Sequence, residues 1–169
     1  MVRKIINYKN LSSSISKDNN KVFFKKIDQL IKRSIGHKLI TFTVIDDKLK
    51  YVERIYTNNS RIYPLLGRKK LPKNKWSQQV IKNKKHFLGK NKKDIKKLFF
   101  YYQIIFSLGC GSIINFLVKF DNKPIGTINV LDKEFKYNNK DIKKLEEINI
   151  LLIPFFLKHH ILMKYKKIK

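Results

Sequence analysis

The stretch from Ser107 to Asp132, SLGCGSIINFLVKFDNKPIGTINVLD, restricts the fold of this chain more than any other. Ile113–Phe120 and Pro124–Leu131 read as two strands joined at Asp121-Asn122. Ahead of them, Gly109-Cys110-Gly111 reads as the end of a helix and a tight turn, with Gly109 free to adopt the left-handed conformation. A hairpin of this kind must bury at least one face against other elements.

The rest of the chain supplies that cover. Phe23, Ile27, Leu30, Ile31 and Ser34 recur at helical spacing, and Gly36 is a stop, so a helix is predicted over 20–35. Lys38–Ile45 alternates, with Leu39, Thr41 and Thr43 set against Ile40, Phe42 and Val44. Asp46-Asp47-Lys48 supplies a turn, and Leu49–Thr57 reads as the partner strand. Asn58-Asn59, Pro64, Gly67 and Pro72 make 58–73 a loop with at most short helical turns. Asn74 caps a short helix through Ile81, and His86–Leu88 is a brief strand. Asn91 caps a helix with Asp94 in its first turn. Its apolar face is Ile95, Leu98, Phe99, Tyr102 and Ile105, and it is predicted to run to Gly109. A last helix begins near Asn138 or Asn139, with a kink expected at Pro154. The expected organisation is an N-terminal arm over 1–19 and a single domain over 20–169. Its fold class is α+β: an antiparallel sheet of about five to six strands with the N- and C-terminal helices on one face. The other face is left for a ligand.

Composition narrows the partners. The formal net charge is +27, which suggests an anionic partner such as nucleic acid or an acidic membrane. The chain has 34 Lys but 5 Arg, with 24 Ile, 15 Asn and no Ala. Lys, Ile and Asn use AT-rich codons and Ala uses GC-rich ones, so an AT-rich genome produces the same bias. Arg, the residue suited to bidentate phosphate contacts, is scarce. Nucleic-acid binding is accordingly read as salt-sensitive and non-specific. One cysteine excludes an internal disulfide, and with no signal-like start a cytoplasmic protein is expected. The longest apolar run, Ile150–Leu157, contains Pro154 and is far short of the roughly 20 residues that a spanning helix needs. His37, His86, His159 and His160 lack metal-ligand spacing. Asp46-Asp47 reads as a turn and Glu146-Glu147 as a solvated helix face.

Several pieces, in this order and spacing, resemble a GAF domain over residues 20–157. They are Arg54-Ile55-Tyr56-Thr57, Tyr63-Pro64 with Gly67-Arg68-Lys69, Trp76, Phe87-Leu88-Gly89, Ser107-Leu108-Gly109, Gly111-Ser112, Asn115 and Gly126-Thr127-Ile128-Asn129. The resemblance is to short, stand-alone bacterial GAF-domain proteins. Where that group often carries an Asp-His pair, this chain has Tyr101-Tyr102, so no acid–base role is carried over there. The resemblance implies a small-molecule-binding sensor or regulatory module, acting in signalling without an attached output domain. The resemblance leaves the identity of the ligand, and of any cofactor, open.

Residue chemistry adds a candidate ligand set: Arg54, Tyr56, Tyr63, Arg68, Trp76, Ser112, Asn115 and Asn129. Pockets combine apolar walls with a few convergent polar groups. Tyr56, Tyr63 and Trp76 are the expected walls, and Arg54 or Arg68 the clamp for a carboxylate or phosphate. Ser112, Asn115 and Asn129 are the expected polar selectors, because Asn within a strand is unfavourable unless its amide finds partners. Gly109-Cys110-Gly111-Ser112 reads as a cap and turn, with an anion nest as the alternative. An enzyme built on this fold is the third functional class, with Cys110 its sole thiol nucleophile. Ile148, Leu151, Leu152, Phe155 and Phe156 give the last helix an apolar surface for packing on the first helix or for a homodimer, ahead of a basic tail, Lys164–Lys169.

Overall fold

The computed structural model describes residues 20–165. The arm over 1–19 and positions 166–169 of the basic tail lie outside the described residues. Six strands form one antiparallel sheet: β1 (Leu39–Ile45), β2 (Tyr51–Thr57), β3 (Arg68–Lys70), β4 (Phe87–Gly89), β5 (Ser112–Phe120) and β6 (Lys123–Asp132), in the spatial order β3-β2-β1-β6-β5-β4. The β5–β6 hairpin turns at Asp121 and Asn122, whose φ values are 47° and 55°. Both are left-handed, as the twist of a two-residue hairpin requires. The β1–β2 turn is held by Asp46, whose carboxylate accepts from the Lys50 and Tyr51 amides at 2.7 and 2.6 Å.

Helices α1 (Asn20–Ile35) and α5 (Asn139–Tyr165) cover one face. Phe23, Phe24 and Ile27 of α1 and Leu152 and Phe156 of α5 meet Ile40, Phe42 and Ile128 of the sheet in a single buried cluster. The Phe23 and Phe155 rings stack across the two helices at 3.9 Å. Burying each such ring contributes about 1.5–3 kcal/mol. Gly36, at φ +73°, ends α1. Asn138 and Asp141 cap α5 reciprocally: the Asn138 side chain accepts from the Lys140 amide, and the Asp141 carboxylate from the Asn138 amide. The helix continues through Pro154, which sits with Ile150 on the exposed side. There, water can satisfy the carbonyl that proline cannot bond.

The other face is covered by short elements: α2 (Lys75–Ser77) with a π-turn over Gln78–Lys82, then α3 (Lys92–Leu98) and α4 (Tyr102–Ser107). Asn74 and Asn91 cap α2 and α3 through their side chains, as expected. Two expectations are corrected. The predicted loop 58–73 contains the edge strand β3, a segment too short and too basic to carry an alternating signal. The single helix predicted to run from Asn91 to Gly109 breaks at Phe99, whose backbone is extended (φ −119°, ψ 110°). The break lets Leu98, Phe99, Phe100 and Tyr101 all reach one cavity. On a continuous helix four successive residues would fan over about 300° of its circumference.

Candidate functional site

Strands β3 and β4 are consecutive in sequence but occupy opposite edges of the sheet. Segment 71–86 must therefore cross five strand spacings, about 24 Å. It crosses over the face that α1 and α5 leave open, and α3 and α4 lie on the same side. Between this crossing and the sheet is a cavity of about 500 Å³, with Thr41, Thr43, Asn115, Thr127 and Asn129 on its strand side. Apolar walls come from Val52, Trp76, Leu98, Phe99 and Ile105, and Phe100, 84% exposed, stands at the mouth.

The strand side carries a continuous hydrogen-bond chain. The Trp76 indole Nε1 donates to Asn115 Oδ1 at 2.9 Å. Asn115 Nδ2 donates to Asn129 Oδ1 at 2.8 Å. Asn129 Nδ2 donates to the hydroxyl oxygens of Thr41 at 3.1 Å and Thr43 at 3.3 Å. Register places these groups side by side, since Asn115 pairs with Asn129 and Asn129 with Thr41. This resolves the cost of asparagine in buried strands: each amide is bonded to its neighbour.

Arg54 lies at the far end, opposite Thr43 in the β1–β2 ladder. Its Nη1 donates to the Pro64 carbonyl at 2.8 Å, and its guanidinium sits 5.0 Å from the centre of the Tyr63 ring. Burial lowers the Arg54 pKa, but a guanidinium stays charged at any physiological pH. Among the described residues no Asp or Glu pairs with it, and its buried Nε has no hydrogen-bond partner. Burial and the neighbouring Tyr101 push the Tyr63 phenol up to about 12 against the pull of Arg54, so Tyr63 is neutral beside the cation.

Of the eight residues expected in the site, Arg54, Tyr63, Trp76, Asn115 and Asn129 line this cavity. Tyr56, Arg68 and Ser112 do not. Simple alternation places Tyr56 beside Arg54, but a β-bulge inserts Ile55, so that Arg54 faces Thr43 while Tyr56 faces Phe42. Tyr56 therefore belongs to the helix-covered core, where its hydroxyl donates to Asp28 Oδ2 at 2.6 Å. Arg68 is directed instead at Tyr51, its guanidinium 4.8 Å from the centre of that ring. Ser112 has the opposite strand parity from Asn115 and is fully buried.

No family profile matches the sequence, and no curated protein matches it either. Solved structures do match. The GAF domain of a two-component sensor histidine kinase from Bacillus halodurans superposes with a TM-score of 0.60 at 15% identity, over 83% of this chain and 97% of that one. The GAF3 domain of a protein from Synechocystis sp. PCC6803, in its photoproduct state, gives 0.57 at 9% identity, over 87% and 99%. This chain has the GAF-domain fold. A type II free methionine-R-sulfoxide reductase from Thermoplasma acidophilum is also similar, with a TM-score of 0.60 at 14% identity, over 77% of this chain and 86% of that one.

Within the GAF fold of this chain, Cys110 is a poor nucleophile. It is buried, its Sγ lies 3.8 Å from the Leu108 carbonyl, and burial raises its pKa to about 11. Attack requires the thiolate, which is scarce under those conditions. The adjacent glycine turn is structural as well: the Gly111 amide is spent on the Asp132 carbonyl at 2.7 Å, and Glu134 packs over Gly111. An acidic side chain there disfavours an anion. Among the described residues no helix is long and apolar enough to cross a membrane, and no cluster of three acidic, His or Cys side chains could hold a metal. Sequence reasoning missed Thr41, Thr43 and Thr127 as cavity groups of this GAF fold. For Thr41 and Thr43 the signal was their alternation with Ile40, Phe42 and Val44 in the central strand β1. It missed Tyr101 because one residue's direction depends on the break at Phe99. The site as a whole offers a half-buried cation, aromatic walls and a polar strand floor, which suit non-covalent binding.

Proposed function

We propose that this chain is a sensor domain that binds a small anionic molecule in the cavity between its sheet and the crossing segment. The observation that carries the reading is Arg54: a half-buried guanidinium with no carboxylate partner among the described residues, at the edge of a cavity of about 500 Å³. Desolvating a cation is costly unless a counter-charge compensates, and an anionic ligand would provide one. Tyr63 and Trp76 are the aromatic walls, and Asn115 and Asn129 the polar selectors. The Bacillus halodurans domain of like fold comes from a sensor histidine kinase, which supports the sensory half of the reading.

The test is a native mass spectrum of the purified protein after a high-salt wash. The expected result is a discrete extra mass of a few hundred daltons on the wild type that is lost in Arg54→Gln, with both proteins folded. An apo mass for both, with oligonucleotide adducts forming at low salt, would reject this reading. It would move the assignment to polyanion binding by the +27 surface.

A further inference from the structure

An indole nitrogen can only donate. The contact between Trp76 Nε1 and Asn115 therefore forces the Asn115 oxygen toward the indole and its NH2 toward Asn129. Asn129 must then present its oxygen to Asn115 and its NH2 to Thr41 and Thr43. Both threonine hydroxyls are thus committed as acceptors from the floor, and each retains one hydrogen to donate. Neither hydroxyl has a protein acceptor among the described residues. A single tryptophan sets the direction of every bond across three strands. Trp76 sits over β5 and Arg54 lies in β2, three strand spacings apart, about 14 Å. At the Arg54 end, the cavity offers hydroxyl hydrogens and a guanidinium, which are donors, and beside Trp76 it offers Leu98, Phe99 and Ile113.

We infer that the ligand is an elongated apolar molecule with one acceptor-only anionic group, carboxylate-like, seated on Thr41, Thr43 and Arg54, its apolar body lying toward Trp76. This rests on the reading of the cavity as a binding site and adds the ligand's class, its orientation and two specificity-determining threonines.

Two fluorescent probes with the same apolar body test it: 1-anilinonaphthalene-8-sulfonate, whose sulfonate accepts only, and the neutral N-phenyl-1-naphthylamine. Binding is read from the quenching of Trp76, the one tryptophan in the chain. Titrations are run in about 1 M salt, where a Debye length of about 3 Å screens surface lysines and spares buried pairs. The expected result is saturable one-to-one binding, with the sulfonate probe about tenfold tighter or more. Thr43→Val should weaken the sulfonate probe about tenfold and leave the neutral probe unchanged, since a hydrogen bond to a charged group is lost. Thr43→Ser should restore it. In Trp76→Phe, followed by probe emission, Asn115 and Asn129 are free to turn over and the preference for the anion should shrink. Equal affinity of the two probes, or a ratio unmoved by Thr43→Val, overturns this inference and leaves the cavity standing as a binding site. Quenching by neither probe rejects the binding-site reading itself.

Discussion

The bond between Trp76 and Asn115 is the anchor of the cavity floor, and its energy can be measured. Asn115→Leu keeps the side-chain volume but strands two groups: the Trp76 N–H, 2.9 Å from its lost acceptor, and Asn129 Oδ1, 2.8 Å from its lost donor. An unsatisfied buried polar group costs about 1–3 kcal/mol. Trp76 and Asn115 are both buried, so the indole bears its full share. Asn129 is half-buried beside the cavity, where water can replace the amide and bring its share to the low end. The sum is roughly 2–4 kcal/mol, which for a domain of this size lowers Tm by roughly 5–12 °C. Trp76→Phe leaves Asn115 Oδ1 without its donor and costs about 1–3 kcal/mol. In the double variant the stranded indole no longer exists, so the costs should not add. The expected coupling is about 1–3 kcal/mol. Urea unfolding followed by far-ultraviolet circular dichroism gives all four corners of the cycle without relying on the tryptophan signal. Additivity within about 0.5 kcal/mol would show that the bond contributes nothing. The fixed direction of the floor would then have no anchor.

Two further outcomes follow from the packing. Gly126→Ala should destabilise the domain by roughly 3 kcal/mol in the same unfolding assay. The new Cβ would fall 2.5 Å from the Thr43 carbonyl oxygen and against the Phe156 ring; the carbonyl is held in the β1–β6 ladder, and the ring is fully buried. Wild-type stability in this variant would show that α5 does not seat on β6 as described. Cys110 should resist thiol reagents in the folded protein at neutral pH and react at the rate of a free thiol only in denaturant. Burial raises its pKa from 9.0 to about 11, so its contribution to stability is complete below about 9 and is lost as pH rises through about 11. A Cys110→Ala variant should therefore lose less stability than the wild type between these two values, and identical alkaline profiles would refute the buried thiol.

The sequence by itself determined every element whose signal is local. The β5–β6 hairpin could be read at Asp121-Asn122, and α1 from its apolar spacing and Gly36. Asn74 and Asn91 marked helix starts because a capping side chain bonds an amide two or three residues away. Arg54, Tyr63, Trp76, Asn115 and Asn129, singled out from their chemistry as a clamp, aromatic walls and strand amides, all line the cavity. Only the tertiary structure decided which of the candidates meet. A strand's parity is lost at a single extra residue: the bulge at Ile55 depends on how β2 pairs with β1, and it sends Arg54 to the cavity and Tyr56 to the core. The break at Phe99 likewise depends on what Leu98–Tyr101 reach across space. The cavity itself arises because β3 and β4 sit on opposite edges of the sheet, so the chain between them has to cross the open face. Strand order is a property of pairings between distant segments, and no local run of residues encodes it.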